Sequence, residues 1–329
     1  MTASAFDAII GHAWAKRQLA SAIAEGRLAQ SHLFTGPTGV GKATLARALA
    51  AEALAGRAKD PARARSLALA GKHPDLSWLA PDEGSIKVET TRELLHSLSL
   101  SPVEGGARVA VIDDAHEMTE SAKNAILKTL EEPNPSVVII LIAPNVDGVL
   151  PTIASRCQIL NLRPVPRVEI ETALTRRGAS PERAALLARL SRGRPGWAIT
   201  ALADEDALAV RAQRMRDLMF LLSASRTERL IYAEKLSRAD AEEARMAALE
   251  TWQSFWRDVA RVSASGGAGS VRNSDVLSDI AGIAGRVDAA TAYAAACGVR
   301  EAMQRLQQNA RPQLVLDAVM LTMPRLAAA

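Results

Sequence analysis

A short apolar run, His32-Leu33-Phe34, leads into Gly36-Pro37-Thr38-Gly39-Val40-Gly41-Lys42-Ala43, and an alanine-rich stretch follows over residues 44–51. Strand, glycine-rich turn and helix in that order are the signature of a P-loop. Glycines let backbone N–H groups converge on an anion, and the helix N-terminus adds partial positive charge at the same spot. Gly36, Thr38, Gly39, Gly41 and Lys42 are therefore the candidate phosphate-binding residues, with Lys42 reaching the outer phosphates. The position after the lysine takes Ser or Thr where a hydroxyl binds Mg²⁺. Here it is Ala43. Thr44 is no substitute, because one step along a helix turns the side chain by about 100°.

Two further strands are written in apolar, β-branched residues: 108–112, ending in Asp113-Asp114, and 136–142. Near-continuous runs of this kind suit strands buried on both faces of a parallel sheet. Between them, residues 121–132 have a helical pattern stopped by Pro133. The whole predicts a doubly wound α/β domain. An apolar strand ending in two acids is also the Walker B pattern. Asp113 is placed to hold the Mg²⁺ shell and Asp114 to orient the attacking water. The plainer reading, that the two acids cap the following helix, stands beside it.

At 329 residues the chain has room for two or three domains, and 48% hydrophobic residues supply their cores. Aromatics are only 3%, and alanine is abundant, which favours helices. A net charge of +4 is mildly basic, compatible with a nucleic-acid partner without indicating one. Two cysteines, Cys157 and Cys297, are too few for a disulfide framework or a zinc site and suit a reducing compartment as inert thiols. The first residues lack a signal-peptide pattern, and no run of eighteen apolar residues occurs. A soluble intracellular protein is expected.

Residues 6–29 read as a turn and an amphipathic helix, and 56–81 as a loosely patterned basic segment. An extended piece at 86–88 and a helix from Thr90 follow. A last strand is expected at 159–162, with Pro164 and Pro166 marking a boundary. Short helices then lie around Gly178 and Gly193-Arg194-Pro195-Gly196. The rest is helical, broken by a flexible loop at 263–270. Eight arginines from Arg163 to Arg194 read as a solvated helical face, with contact to DNA phosphates as the alternative that spacing does not decide. Trp252, Phe255 and Trp256 read as core or subunit interface.

Several segments together resemble the clamp-loader subunits of the AAA+ superfamily, most of all the bacterial DNA polymerase III delta-prime family. They are Gly11-His12, Ser31 to Pro37, His73-Pro74-Asp75, Ile112-Asp113-Asp114-Ala115-His116, Asn124 to Pro133, and Leu150 to Cys157 ending in Ser155-Arg156-Cys157. The likeness covers roughly residues 6–200 and is architectural beyond. It implies an AAA+ core over 1–163, a parallel sheet with flanking helices. A helical lid over 164–203 and an all-α collar domain over 204–329 follow from it. It also implies that Arg156 is an arginine finger inserted into a neighbour's ATP site. The implied partners are the motor subunits of gamma/tau type, the delta subunit, the sliding clamp and primed DNA, with a cytoplasmic, nucleoid-associated location.

Departures from the family pattern matter equally. The usual four-cysteine zinc module is missing, since residues 51–72 hold no cysteine, and no zinc is expected. The second acid, usually Glu, is Asp114, and one methylene moves a carboxylate by roughly 1 Å, a displacement worth about a hundredfold in rate. The sensor-2 arginine position is held by Gly196, with Arg194 nearby; a sensor-1 polar residue falls near Asn145. Ala43, Asp114 and Gly196 each remove a part used in phosphoryl transfer. The expectation is a subunit that holds ATP or ADP without turnover and donates Arg156 to a partner. The rival expectation is an active AAA+ ATPase of motor type.

Overall fold

Residue 34 points to one side of its strand and residue 33 to the other, and this alternation organises the first half of the molecule. The computed structural model describes residues 4–326 except 83, 105, 133, 205, 239–241, 266–270 and 309. These residues divide into two compact units, Met1–Ala184 with Ser191–Ile199, and Ala185–Leu190 with Thr200–Ala329.

In the first unit, α1 (Ala13–Ala24) precedes β1 (Ser31–Thr35), and α2 (Lys42–Ala55) and α3 (Pro61–Leu69) follow. Next come β2 (Leu76–Leu79), α4 (Val88–Ser99), β3 (Arg108–Ile112), α5 (Glu120–Glu131) and β4 (Val137–Ala143). Then come α6 (Pro151–Ala154), β5 (Gln158–Asn161) and α7 (Arg167–Thr175); α8 (Pro181–Leu190) and α9 (Pro195–Ala203) follow, each divided between the units, after Ala184 and after Ile199. The strands pair in parallel in the order β2-β3-β4-β1-β5.

Phe34, Val109, Val111, Val138, Ile140 and Ile142 pack on one face with α1, α2 and α3. Leu33, Ala110, Ile112, Ile139 and Leu141 pack on the other with α4, α5 and α6. The period of two explains why these strands look apolar throughout: both faces are covered. This is the α/β core expected from the sequence.

Three expectations change. The loosely patterned 56–81 segment contains a real helix, α3, started by the Asp60 carboxylate accepting the Arg63 N–H at 3.0 Å and by Pro61. It also contains the edge strand β2, whose four residues are all half-buried and so carry no apolar alternation. The extended piece at 86–88 is only an isolated bridge at Ile86, and Val88 already belongs to α4. Of the flexible loop, Ser263 to Ser265 finish a helix, and 266–270 lie outside the described residues.

The second unit holds α10 (Asp206–Ser223), α11 (Arg226–Ser237), α12 (Glu242–Ser265), α13 (Leu277–Ala284), α14 (Ala289–Gln307) and α15 (Pro312–Thr322). Trp252, Phe255 and Trp256 are fully buried at its centre, so they are core. Trp252 donates its indole N–H to the Arg214 carbonyl at 3.1 Å. Buried Arg229 donates to the carbonyls of Leu221 (2.8 Å), Met320 (3.0 Å), Met323 (2.8 Å) and Pro324 (2.9 Å). Among the described residues no helix is long and apolar enough to cross a membrane.

Candidate nucleotide site and a surface arginine

The loop between β1 and α2 turns on residues with positive φ: Gly36 (139°), Gly39 (79°) and Gly41 (113°). A Cβ on Gly36 would sit 2.3 Å from the Leu162 carbonyl oxygen, so only glycine fits there. The Gly36 N–H donates to the Pro144 carbonyl at 3.2 Å, and Val40 N–H to Pro37 at 3.2 Å. His12, itself at φ 53°, places Nε2 2.9 Å from the Val40 carbonyl and braces the loop from α1. The Gly39 carbonyl accepts the Gly196 N–H at 2.9 Å, and a Cβ on Gly196 would lie 3.0 Å from that oxygen. Close packing on the loop thus explains a glycine where the family resemblance leads one to look for arginine.

Lys42 is buried and folds back on the loop, its Nζ donating to the carbonyls of Gly36 (2.6 Å) and Pro37 (3.2 Å). Burial lowers its pKa, and the nearby Asp114 and Asp113 carboxylates offset part of that. The fold therefore brings Lys42, Asp113 and Asp114 into one electrostatic neighbourhood. Thr38 lies exposed on the same loop. Ala43 packs against the core, and Thr44 is exposed.

Asp113 stands at the end of β3, where its N–H donates to the Leu79 carbonyl at 2.8 Å. Burial raises its pKa and the adjacent Asp114 raises it further; the Asp114 N–H, Lys42 and the Trp78 indole pull it down. Trp78 carries the Arg47 guanidinium 4.5 Å above its ring. Asp114 has left-handed backbone (φ 50°, ψ 50°) and makes no side-chain cap to the 3₁₀ turn Ala115–Glu117 that follows. Capping is thus not what holds this acid there.

These residues fit the phosphates of a nucleotide. The loop has the required glycine conformations, the first turn of α2 offers amides with no intrahelical partner, and Lys42 is held only by main-chain oxygens that an anion can replace. The fit to Mg²⁺ is poorer, because two carboxylates are present and the hydroxyl is not. Asn145 is committed to a turn, its Oδ1 accepting the Gly148 N–H at 2.8 Å.

Arg156 belongs to a different place. It follows α6, and its side chain is about one-third exposed, at 35%. Nη1 donates to the Thr152 carbonyl at 2.9 Å and, more weakly, to Ser155 Oγ at 3.4 Å; Nη2 donates to Glu131 Oε1 at 2.7 Å. Its hydrogen bonds go to these groups, not to Lys42, Asp113 or Asp114. Glu131 was not singled out from the sequence; it lies 25 residues away, and only the packing of α5 beside α6 joins the two motifs.

The His73-Pro74-Asp75 marker is a structural staple. Buried Asp75 accepts the N–H groups of Val103 (2.8 Å) and Glu104 (3.0 Å), and its own N–H donates to His73 Nδ1 at 3.1 Å. It ties the start of β2 to the loop before β3. Cys157 is an inert thiol, its pKa pushed by burial up to about 12.

Residues 11–166 match the sequence profile of the family described as DNA polymerase III, delta subunit. Over 177 residues the chain is 36% identical to DNA polymerase III subunit delta' of Bacillus subtilis, covering 53% of this chain and 54% of that one. Over this region the chain is similar to DNA polymerase III delta' subunits. The delta' subunit of Escherichia coli is 39% identical over 140 residues, 42% of each chain. The gamma/tau subunit of Mycobacterium tuberculosis is 31% identical over 185 residues, covering 53% of this chain and 31% of that one. The chain thus spans about half, or less, of the length of these relatives. Beyond residue 166 the delta-prime profile does not reach, and the second unit is described by its structure alone.

Proposed function

We propose that the chain is a non-motor, delta-prime-type subunit of the DNA polymerase III clamp loader. In this reading it assists loading of the sliding clamp onto primed DNA and donates Arg156 in trans to a neighbouring ATPase subunit. The observation that carries it is the separation of parts: Arg156 is held at the surface by Glu131, and the chain's own loop has Ala43 in place of a metal-binding hydroxyl. An arginine with that placement serves a phosphate brought by another chain. Its guanidinium spreads charge over the transferring phosphoryl group, an effect worth about three to five orders of magnitude in rate.

The chain's own site acts as a nucleotide holder. Gly36, Gly39 and Gly41 shape the cradle, Lys42 exchanges its carbonyl partners for phosphate oxygens, and Asp113 and Asp114 lie alongside. ATP or ADP bound there supplies charge and order to the loop. The first-unit core, the short helices after Pro164 and the helical second unit take the roles of AAA+ domain, lid and collar. Motor subunits of gamma/tau type, the delta subunit, the clamp and primed DNA are the partners in this reading, in the cytoplasm near the nucleoid.

Reconstitution of the complex tests the reading. Arg156→Ala is expected to leave assembly intact and to lower ATPase by about a thousandfold or more at the site it serves. An unchanged rate in a verified complex removes the finger from the scheme. The neighbourhood of Lys42, Asp113 and Asp114 favours a second reading, an active motor-type ATPase. Turnover by the purified chain at motor-subunit rates would establish that one instead. Nucleotide binding lost on Lys42→Ala identifies the cradle as the site.

A further inference from the structure

We infer that Glu131 is a positioning residue for Arg156, fixing the guanidinium before the neighbouring subunit's nucleotide arrives; this rests on the finger reading given above. Glu131 is the last residue of α5, and a carboxylate at a helix C-terminus opposes the macrodipole. Something must offset that, and the Arg156 guanidinium does, at 2.7 Å. Both side chains are substantially exposed, 35% for Arg156 and 51% for Glu131, so the pair adds little to stability. Its effect is on conformation instead.

Arg156 follows the single-turn α6 and has a long, flexible stem, yet it is gripped from two sides. The Thr152 carbonyl and Ser155 hydroxyl take Nη1, and Glu131 takes Nη2. Three of its five N–H donors are used, leaving Nε–H and one Nη2 N–H for an incoming anion. The rotamer entropy that an unrestrained arginine loses on meeting phosphate is already lost in this arrangement. Because Glu131 bonds the guanidinium itself, its part in this scheme is exerted through Arg156.

The test is a double-mutant cycle in the reconstituted complex. Glu131→Ala is expected to lower ATPase kcat about tenfold with KM for ATP and assembly unchanged, since only orientation of the finger is lost. Glu131→Gln, which keeps an acceptor oxygen, is expected to retain most of the rate. In an Arg156→Ala background, Glu131→Ala is expected to do nothing further. In the isolated chain, ¹⁵N relaxation of the Arg156 Nε–H should report an ordered side chain that becomes mobile in Glu131→Ala. A wild-type or raised rate for Glu131→Ala overturns the inference while leaving the finger standing if Arg156→Ala is slow. So does equal loss in both backgrounds, or unchanged Nε–H relaxation. Full activity of Arg156→Ala itself sinks the finger reading and this inference with it.

Discussion

Replacing His32 with leucine isolates the cost of burying an imidazole in the middle of a parallel sheet. His32 is fully buried on β1, between Ile140 of β4 and Gln158 of β5. Burial lowers its pKa from 6.5 to about 4, with the Ala29 backbone offsetting part of that fall. Above pH 6.5 the ring is neutral in both folded and unfolded chains, and nothing is lost. Between pH 6.5 and 4 the unfolded chain takes up a proton that the folded one refuses, so stability falls as pH falls. Below pH 4 both states are protonated and the loss levels off. At about 1.36 kcal/mol per pH unit, the fall from pH 7.5 to 4.5 is about 2.5 kcal/mol. The assay is amide hydrogen exchange of β4 peptides, comparing wild type with His32→Leu at each pH so that intrinsic exchange rates cancel. Other titrating groups, Asp113 among them, cancel in the same difference. A wild-type-minus-variant difference that stays constant within about 0.5 kcal/mol from pH 7.5 to 4.5 would refute the reasoning, since even a pKa lowered to only about 5.5 would produce a larger change.

Gly36→Ala should destabilise the first unit by about 3 kcal/mol, from the 2.3 Å approach to Leu162 and the positive φ, and lower its melting transition by roughly 6–12 °C in calorimetry. Asp75→Ala leaves the Val103 and Glu104 amides without acceptors and should cost about 3 kcal/mol in urea unfolding, with loss of exchange protection starting at β2. Cys157, with its thiol pKa pushed up to about 12, should be alkylated at pH 8 about a thousandfold more slowly than an ordinary cysteine, read by peptide mapping. Ala43→Ser restores a hydroxyl at the loop's last position and should make nucleotide affinity depend more strongly on Mg²⁺ in titration calorimetry.

Much of the first unit was legible because its chemistry repeats at short range. β3 and β4 are written as apolar runs, since each has a core on both sides, and the glycines of the loop record backbone angles that other residues resist. What was not legible depends on partners far along the chain. β2 is an edge strand whose half-buried residues carry no alternation, and Asp75 holds it through two amides near residue 103. α3 is alanine-rich with a weak apolar stripe, so the 56–81 segment reads as loosely patterned, and it is the Asp60 cap and Pro61 that fix where the helix starts. The glycine at 196 looked like a lost function and is also a packing requirement against Gly39. Glu131 carried no mark of its own, because its meaning comes from Arg156.

The guanidinium of Arg229 sets a condition on when the second unit can close during synthesis. Its acceptors include carbonyls 91 to 95 residues downstream, at Met320, Met323 and Pro324. At a translation rate of about 5–20 residues per second, those oxygens leave the ribosome's catalytic centre roughly 5–19 seconds after the arginine. Until then the charge stays in water, because burying it without those partners costs more than the surrounding apolar contacts return. α10 and α11 therefore wait on α15, and the helical unit folds as one late event rather than helix by helix. Nascent chains stalled short of residue 320 should remain open to protease across α11, while chains carried past 326 and clear of the ribosome are protected there.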